Sequence, residues 1–314
     1  MKIYNQNTFD KWPVDDNSIQ AIITSPPYWG LRKYDITDAS IGNWQGQYGL
    51  EPSHMDYIEH TRLWVKEAWR VLRDDGIFFL NLGDSYFGGG KGNGSGKLRG
   101  IEIPKGGSFV NKRTKCKALI PHRVAIALID DGWILRNDIV WHKPNAMPES
   151  CKNRFSKKFE YIFMFTKSRK YYFDLDTIRE PHKQASIKRW GNGGEQAGNT
   201  KYRQQQTAVG NLRNASNPLN VKGKNPGDIW QINTRPSPEK HFAMWPETLV
   251  ERMILCSTKT GDTVLDPFCG SATTIRVAEQ LNRDGVGIDL GYQDIQKRRL
   301  ANIQPELPWQ ETHK

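Results

Sequence analysis

Thr263-Val264-Leu265-Asp266-Pro267-Phe268-Cys269-Gly270-Ser271-Ala272-Thr273-Thr274 decides the fold of this 314-residue chain. Thr263 to Asp266 reads as a buried parallel strand, Pro267 to Ala272 as a turn of small residues, and Thr273 to Leu281 as a helix. A second strand, Gly285-Val286-Gly287-Ile288, ends in Asp289, nineteen residues after Gly270. Strand, turn and helix N-terminus form the usual cradle for a nucleoside, because small residues let the backbone approach closely and leave N–H groups exposed. The spacing to Asp289 suits a carboxylate that accepts hydrogen bonds from ribose hydroxyls.

The full G-x-G-x-x-G pattern that grips a pyrophosphate is missing, so a nucleoside without phosphates fits better than a dinucleotide. S-adenosylmethionine is such a molecule. Taken alone, the same residues also read as a structural β-α-β unit with no ligand.

A second signal lies near the start of the chain, where Ser25-Pro26-Pro27-Tyr28-Trp29 follows the apolar run Ala21-Ile22-Ile23. Two prolines remove two backbone donors, leaving carbonyl oxygens, a small hydroxyl and aromatic rings. Such a site accepts hydrogen bonds. A planar group with an exocyclic amine, such as cytosine or adenine, fits it, with both amine hydrogens held by Ser25 and the Pro26 carbonyl and the ring stacked on Tyr28. An aromatic amine is a poor nucleophile because its lone pair is delocalised into the ring. Acceptors off the ring plane favour the pyramidal form, in which that pair is released. The plainer alternative is a Pro-Pro pair that only ends a strand.

Together the two segments resemble the amino-methyltransferases of DNA, which methylate the exocyclic nitrogen of cytosine or adenine with S-adenosylmethionine. The catalytic motif comes first and the cofactor motif last, an order similar to the β-class. Further matching stretches are Glu67 to Leu72, Phe78 to Tyr86, Gly132 to Asn145, Glu160 to Lys167 and His241 to Pro246. The resemblance implies a Rossmann-like α/β methyltransferase sheet, circularly rearranged, with a basic target-recognition insertion. It divides the chain into a catalytic half (1–176), an insertion (177–227) and a cofactor-binding half (228–314) of the same domain. It implies catalytic roles for Ser25, Pro26, Pro27 and Tyr28. Asp266, Phe268, Cys269, Gly270, Ser271 and Asp289 are implied as cofactor-binding. One departure is Ala272, where the family commonly has a second glycine; alanine resists positive φ, so a left-handed turn there carries strain of roughly 1 kcal/mol.

The net charge of +11 points to a polyanionic partner, and its distribution sharpens the point. Between His182 and Gly227, eight Lys or Arg residues (Lys183, Lys188, Arg189, Lys201, Arg203, Arg213, Lys222, Lys224) face one acid, Glu195, among many Asn, Gln and Gly. This stretch is either a disordered insertion or a segment ordered by DNA, and the second reading is favoured. Gly88 to Lys117 has the same character, with Lys97, Arg99, Lys112 and Arg113 suited to phosphates, or else solvated without contacts.

Cys116, Cys151, Cys256 and Cys269 show no paired spacing, and His182, His241 and the other histidines lack metal-ligand spacing, so neither a disulfide framework nor a metal is expected. With no apolar signal region and no run of bilayer length, a cytoplasmic protein is expected.

Strands are expected near Lys2–Tyr4, Ala21–Thr24, Gly76–Leu82, Ile134–His142, Tyr161–Thr166, Thr263–Asp266 and Gly285–Asp289. Helices are expected at His54–Leu72, Pro121–Asp131, Pro246–Cys256, Thr273–Leu281 and Tyr292–Ile303. The alternation implies a mainly parallel sheet covered on both faces.

The expected function is site-specific methylation of duplex DNA at N4 of cytosine by base flipping. Members with Ser at the first motif position usually act on cytosine; adenine N6 is the alternative. An RNA or protein amide methyltransferase, or a non-catalytic DNA-binding regulator, are readings of other classes. A cognate restriction endonuclease acting separately is a further possible partner.

Overall fold

The computed structural model describes residues 1–34, 39–87, 97–98, 101–102, 115–190, 219–234, 245–301 and 303. In chain order its elements are β1 (Lys2–Asn5), β2 (Ile19–Thr24), β3 (Ala39–Ile41), β4 (Trp44–Gly46), α1 (His54–Val71), β5 (Leu72–Leu82), β6 (Lys97–Leu98), β7 (Ile101–Glu102), α2 (Ile120–Asp130), β8 (Ile134–His142), β9 (Phe159–Thr166), α3 (Gln184–Trp190), β10 (Ile229–Gln231), α4 (Glu247–Ser257), β11 (Thr263–Asp266), α5 (Thr273–Gln280), β12 (Asp284–Asp289) and α6 (Gln293–Leu300). Each expected strand and helix is present, with ends displaced by a few residues. The largest displacement is β5, which starts at Leu72 rather than Gly76, directly from the last turn of α1. The short strands β3, β4, β6, β7 and β10 were not expected, because two or three residues carry too little alternation to be read.

One eight-stranded sheet, ordered β1-β12-β11-β2-β5-β9-β8-β10, forms the backbone of the fold. Neighbours from β1 through to β5 pair parallel, β9 pairs antiparallel with both β5 and β8, and β10 is parallel to β8. Two small hairpins, β3-β4 and β6-β7, stand apart from the sheet. All six residues of β2 are buried, as its central place in the order requires.

Helix α1 shows why these segments fold as they do. Its buried residues Tyr57, Ile58, Thr61, Trp64, Val65, Ala68 and Val71 recur at three and four, giving one apolar stripe. Ser53 caps its start by accepting a hydrogen bond from Met55 N at 3.1 Å. Trp64 is fully buried and meets Phe78 of β5 and Phe268 of the turn after β11 edge-on, with ring centroids 6.0 and 5.2 Å away. Helix α5 lies close on β12. A Cβ on Gly285 would come within 2.7 Å of an Ile275 side-chain carbon, so only glycine admits this approach.

The chain winds in one direction from β2 to β5 and in the other from β11 to β12, so the sheet's order reverses between β2 and β11. In open α/β sheets the crevice beyond the strand carboxyl ends at such a reversal is where ligands gather. Both motifs leave their strands there.

The chain separates into two compact units, one made of Met1–Phe173 with Asp228–Lys314 and the other of Asp174–Gly227. Within the second, Arg179 and Lys222 both pair with Asp176, at 2.6 and 2.8 Å. Glu180 and Lys224 are joined by an antiparallel bridge and an ion pair of 2.7 Å.

Candidate active site

Asp266 ties the two motif-bearing strands together. Its Oδ1 accepts hydrogen bonds from Thr24 Oγ1 at 2.7 Å and Phe268 N at 3.1 Å, while Oδ2 accepts from Thr274 Oγ1 at 2.6 Å. One carboxylate thus holds the end of β2, the turn after β11 and the first turn of α5. Burial raises its pKa to about 6, against the hydrogen bonds that favour the charged form. The turn is also held from outside, since Thr8 Oγ1 donates to the Pro267 carbonyl at 2.7 Å.

Asp289 ends the neighbouring strand and faces the same turn. Its Oδ2 accepts from Gly270 N at 2.8 Å and Oδ1 from Gly291 N at 3.0 Å, and burial lifts its pKa to about 6. Each oxygen keeps a further lone pair for a ligand hydroxyl. Ala272, the N-cap of α5, has φ 63° and ψ 34°. It adopts the left-handed conformation that the missing glycine would have accommodated, and its side chain is fully buried.

A single cavity brings the two motifs together. Ser25 and Pro27 line it from one side; Asp266, Phe268, Cys269, Gly270, Ser271 and Asp289 line it from the other. Pro26 is buried and is absent from the lining, as is Tyr28. Thr273 lines the cavity, and its Oγ1 is buried without a hydrogen-bond partner among the described residues, which fits a polar ligand atom at that place. Phe9, Tyr34, Gln47, Tyr48, Trp245 and Tyr292 also line the cavity; Trp245 lies in the His241 to Pro246 stretch that matches the family, while no motif announced the other five, which come from loops. Tyr48 stacks between Tyr57 and Phe268, with centroids 4.8 and 5.6 Å away, so the turn after β11 rests on an aromatic column.

Tyr28 lies outside the cavity lining, with its ring packed on one side and its hydroxyl hydrogen-bonded. Its ring lies so close over Gly83 that a Cβ there would meet two ring carbons at 2.6 Å. Its hydroxyl sits in a polar cluster, 3.0 Å from Ser25 Oγ and donating to Glu160 Oε2 at 2.9 Å. Asn81 Nδ2 lies 3.1 Å from Ser25 Oγ, 2.5 Å from the Tyr28 hydroxyl and 3.2 Å from Glu160 Oε2. The other Glu160 oxygen pairs with Lys143, whose ammonium also lies over the Trp141 ring, 4.1 Å from its centroid. Burial and the Glu160 charge push the Tyr28 pKa well above its ordinary value, so the phenol holds its proton at neutral pH. Trp29 is committed to packing as well: its indole N–H donates to Glu51 O at 3.0 Å and its ring meets His54 and Phe87 edge-on.

Sheet geometry assembles this cluster. Ser25 follows β2, Asn81 lies near the end of β5 and Lys143 follows β8. Because β9 runs the opposite way, its second residue, Glu160, arrives at the same edge. Asn81, Lys143 and Glu160 lie in stretches that match the family, but no spacing in the sequence marks them out. Asp84, in the same stretch as Asn81, caps α2 by accepting from Ile120 N at 3.0 Å. Among the basic residues assigned to DNA, Arg99, Lys112, Arg113, Lys201, Arg203 and Arg213 lie outside the described residues, as do the side chains of Lys97, Lys188 and Arg189.

Comparison with known proteins agrees with this architecture. Residues 19–297 match the DNA methylase family model. The Type II methyltransferase M.Cfr9I of Citrobacter freundii is 40% identical over 291 residues, covering 90% of this chain and 81% of that protein. Among solved structures, the cytosine-N4-specific PvuII DNA methyltransferase superposes with a TM-score of 0.63 at 18% identity, covering 98% of this chain and 88% of that one. M1.HpyAVI in complex with S-adenosylmethionine superposes with a TM-score of 0.51 at 17% identity, covering 96% and 99%. No described helix is long and apolar enough to cross a membrane. The chain therefore belongs to the DNA methylase family, as a β-class, S-adenosylmethionine-dependent amino-methyltransferase of DNA.

Proposed function

We propose that this protein methylates N4 of cytosine within a specific duplex sequence, the target base being swung out of the helix. The observation that carries the reading is the shared cavity, in which Ser25 and the turn from Phe268 to Ser271 line one space. S-adenosylmethionine supplies a methyl group made electrophilic by its sulfonium. On the cofactor side, Asp289 would accept from the ribose hydroxyls, while Phe268, Cys269, Gly270 and Ser271 would pack around the adenosine and methionine portions. On the target side, Ser25 accepts a hydrogen bond from the amine, and the Pro26 carbonyl is assigned the second. Holding amine and donor in line supplies much of the acceleration, because it replaces a bimolecular encounter by a positioned one.

Extruding the base costs a few kcal/mol and stacking in the pocket returns part of it. With Tyr28 and Trp29 held in their own contacts, the stacking surface falls to the rings that border the cavity. Basic residues of the 88–117 and 177–227 segments are assigned to phosphates. A cytoplasmic setting and a separate cognate endonuclease complete the proposal.

The choice of cytosine rests on Ser25 at the first motif position; the cytosine-N4 specificity of the PvuII enzyme accords with it, although that likeness is one of fold. Adenine N6 is the second reading, favoured by the downstream stretches that resemble chains usually assigned to adenine. Mass analysis of nucleosides from DNA treated with the protein and S-adenosylmethionine is expected to yield N4-methylcytosine. Methylated adenine with unmodified cytosine refutes the first choice and selects the second.

A further inference from the structure

Three oxygens surround the Asn81 amide nitrogen, and one belongs to a carboxylate, so this end of the amide presents N–H. Ser25 Oγ and the Tyr28 hydroxyl therefore both accept from Asn81. Tyr28 donates its own proton to Glu160 Oε2, which leaves the Ser25 proton directed at the Tyr28 oxygen, 3.0 Å away. All protons in the chain then point one way, from Ser25 through Tyr28 to Glu160. Ser25 Oγ retains one lone pair on the side of the cavity that it lines.

We propose that Glu160 is the terminal proton acceptor of methyl transfer, reached through Ser25 and Tyr28. The inference rests on the reading of the protein as an amino-methyltransferase. The amine nitrogen forms its bond to the methyl carbon as the carbon–sulfur bond breaks, and that electron pair returns to sulfur. Nitrogen is left with a positive charge and one proton too many. That proton passes to Ser25 Oγ as the Ser25 proton passes to Tyr28 and the Tyr28 proton to Glu160, which becomes a neutral carboxylic acid. Both hydroxyls end as they began.

The groups facing Glu160 suit the task. Lys143, after β8, pairs with its second oxygen. The Lys143 pair occupies Oε1 and leaves Oε2 to take the Tyr28 proton. The Glu160 side chain is 20% exposed, which gives the proton an exit to solvent after turnover. Glu160 acts through Tyr28 and touches no substrate; its role differs from mere support in needing to take a proton rather than only a hydrogen bond.

Glu160→Gln separates the two roles, because an amide oxygen still accepts from Tyr28 but does not become a neutral acid. Single-turnover methyl transfer to duplex DNA, with S-adenosylmethionine affinity by calorimetry as a control of folding, is the measurement. The expected result is a rate lower by about 10- to 100-fold in Glu160→Gln and in Tyr28→Phe, no further loss in the double variant, and cofactor affinity within about two-fold. Rates in mixtures of light and heavy water are expected to fall along a curve for the unaltered protein and along a line for Glu160→Gln. A Glu160→Gln rate equal to the unaltered one, or losses that multiply in the double variant, overturns the relay. Should Glu160→Gln fail to fold, Tyr28→Phe carries the test alone, since it keeps the ring and removes the middle of the chain, and an unchanged rate refutes the proposal. Absence of methyl transfer by the unaltered protein would instead be a failure of the parent reading.

Discussion

The cofactor half and the target half of the cavity are built in opposite ways. The cofactor half is local: β11, its turn, α5 and β12 supply Asp266, Phe268, Gly270, Thr274 and Asp289 from one short stretch of chain. Its carboxylates are satisfied by hydroxyls and backbone N–H groups of that same stretch, with Thr24 the contact from afar. The target half draws Ser25, Asn81, Lys143 and Glu160 from four separate segments, and its hydrogen bonds run between side chains. A site of the first kind survives as long as one β-α-β unit folds; a site of the second kind depends on the register of several strands at once. On the proposed reading, cofactor binding rests mainly on the first and turnover on the second.

Gly83→Ala puts that contrast under the greatest strain. The added Cβ meets the Tyr28 ring at 2.6 Å, and the ring cannot withdraw without breaking its hydroxyl from Ser25, Asn81 and Glu160. Turnover is expected to fall about ten-fold or more with stability lower by roughly 1–3 kcal/mol, while S-adenosylmethionine affinity stays put. Calorimetric titration beside methyl-transfer kinetics reads both numbers; a matching loss of cofactor affinity would break the division between the halves.

Asp289 gives an intermediate effect that depends on pH. Its folded pKa of about 6, like that of Asp266, lies above the ordinary carboxylate value of 3.8. Between about pH 4 and pH 6 the folded protein binds more protons at these two sites than the unfolded chain does. Their contribution therefore lowers apo stability as pH rises through that window, by an amount on the order of 3 kcal/mol each. Cofactor binding runs the other way, because a protonated Asp289 accepts ribose hydroxyls poorly, so affinity is expected to fall as pH drops below about 6. Titrations at about pH 5 and about pH 7.5, with Asp289→Asn flattening the difference, test this. Equal affinity at both would remove Asp289 from the ribose.

Ala272→Gly is the mildest probe. Glycine relieves the left-handed strain at φ 63°, while loss of a fully buried methyl and a more flexible unfolded chain oppose the gain. The net effect is expected to be a stabilisation of up to about 1 kcal/mol, seen as a rise of a few degrees in Tm, with cofactor binding intact. A drop in Tm would mean that burial of the methyl outweighs the strain.

Asp266 and Asp289 were legible because a strand, a turn of small residues and a helix start are written in neighbouring positions, and the chemistry of each position is local. The departure at Ala272 was equally legible as a question, though its answer, the sign of φ, was not. The packing of Tyr28 against Gly83 was not legible, because it depends on β2 lying beside β5. Glu160 had no signal of its own: a glutamate opening an apolar strand reads as a solvated end until the strand's direction is known.

By itself the sequence determined that this chain forms a mainly parallel α/β sheet, with a strand, small-residue turn and helix near one end and a Ser-Pro-Pro-Tyr motif near the other. Periodicity and turn chemistry act over a few residues, so each piece announces itself. Only the tertiary structure decided that β11 and β2 are neighbours, that β9 runs against them, and that Asn81, Lys143 and Glu160 thereby close around Tyr28. Strand order and direction follow from packing the sheet and its helices together, a sum over the whole chain that no single stretch contains.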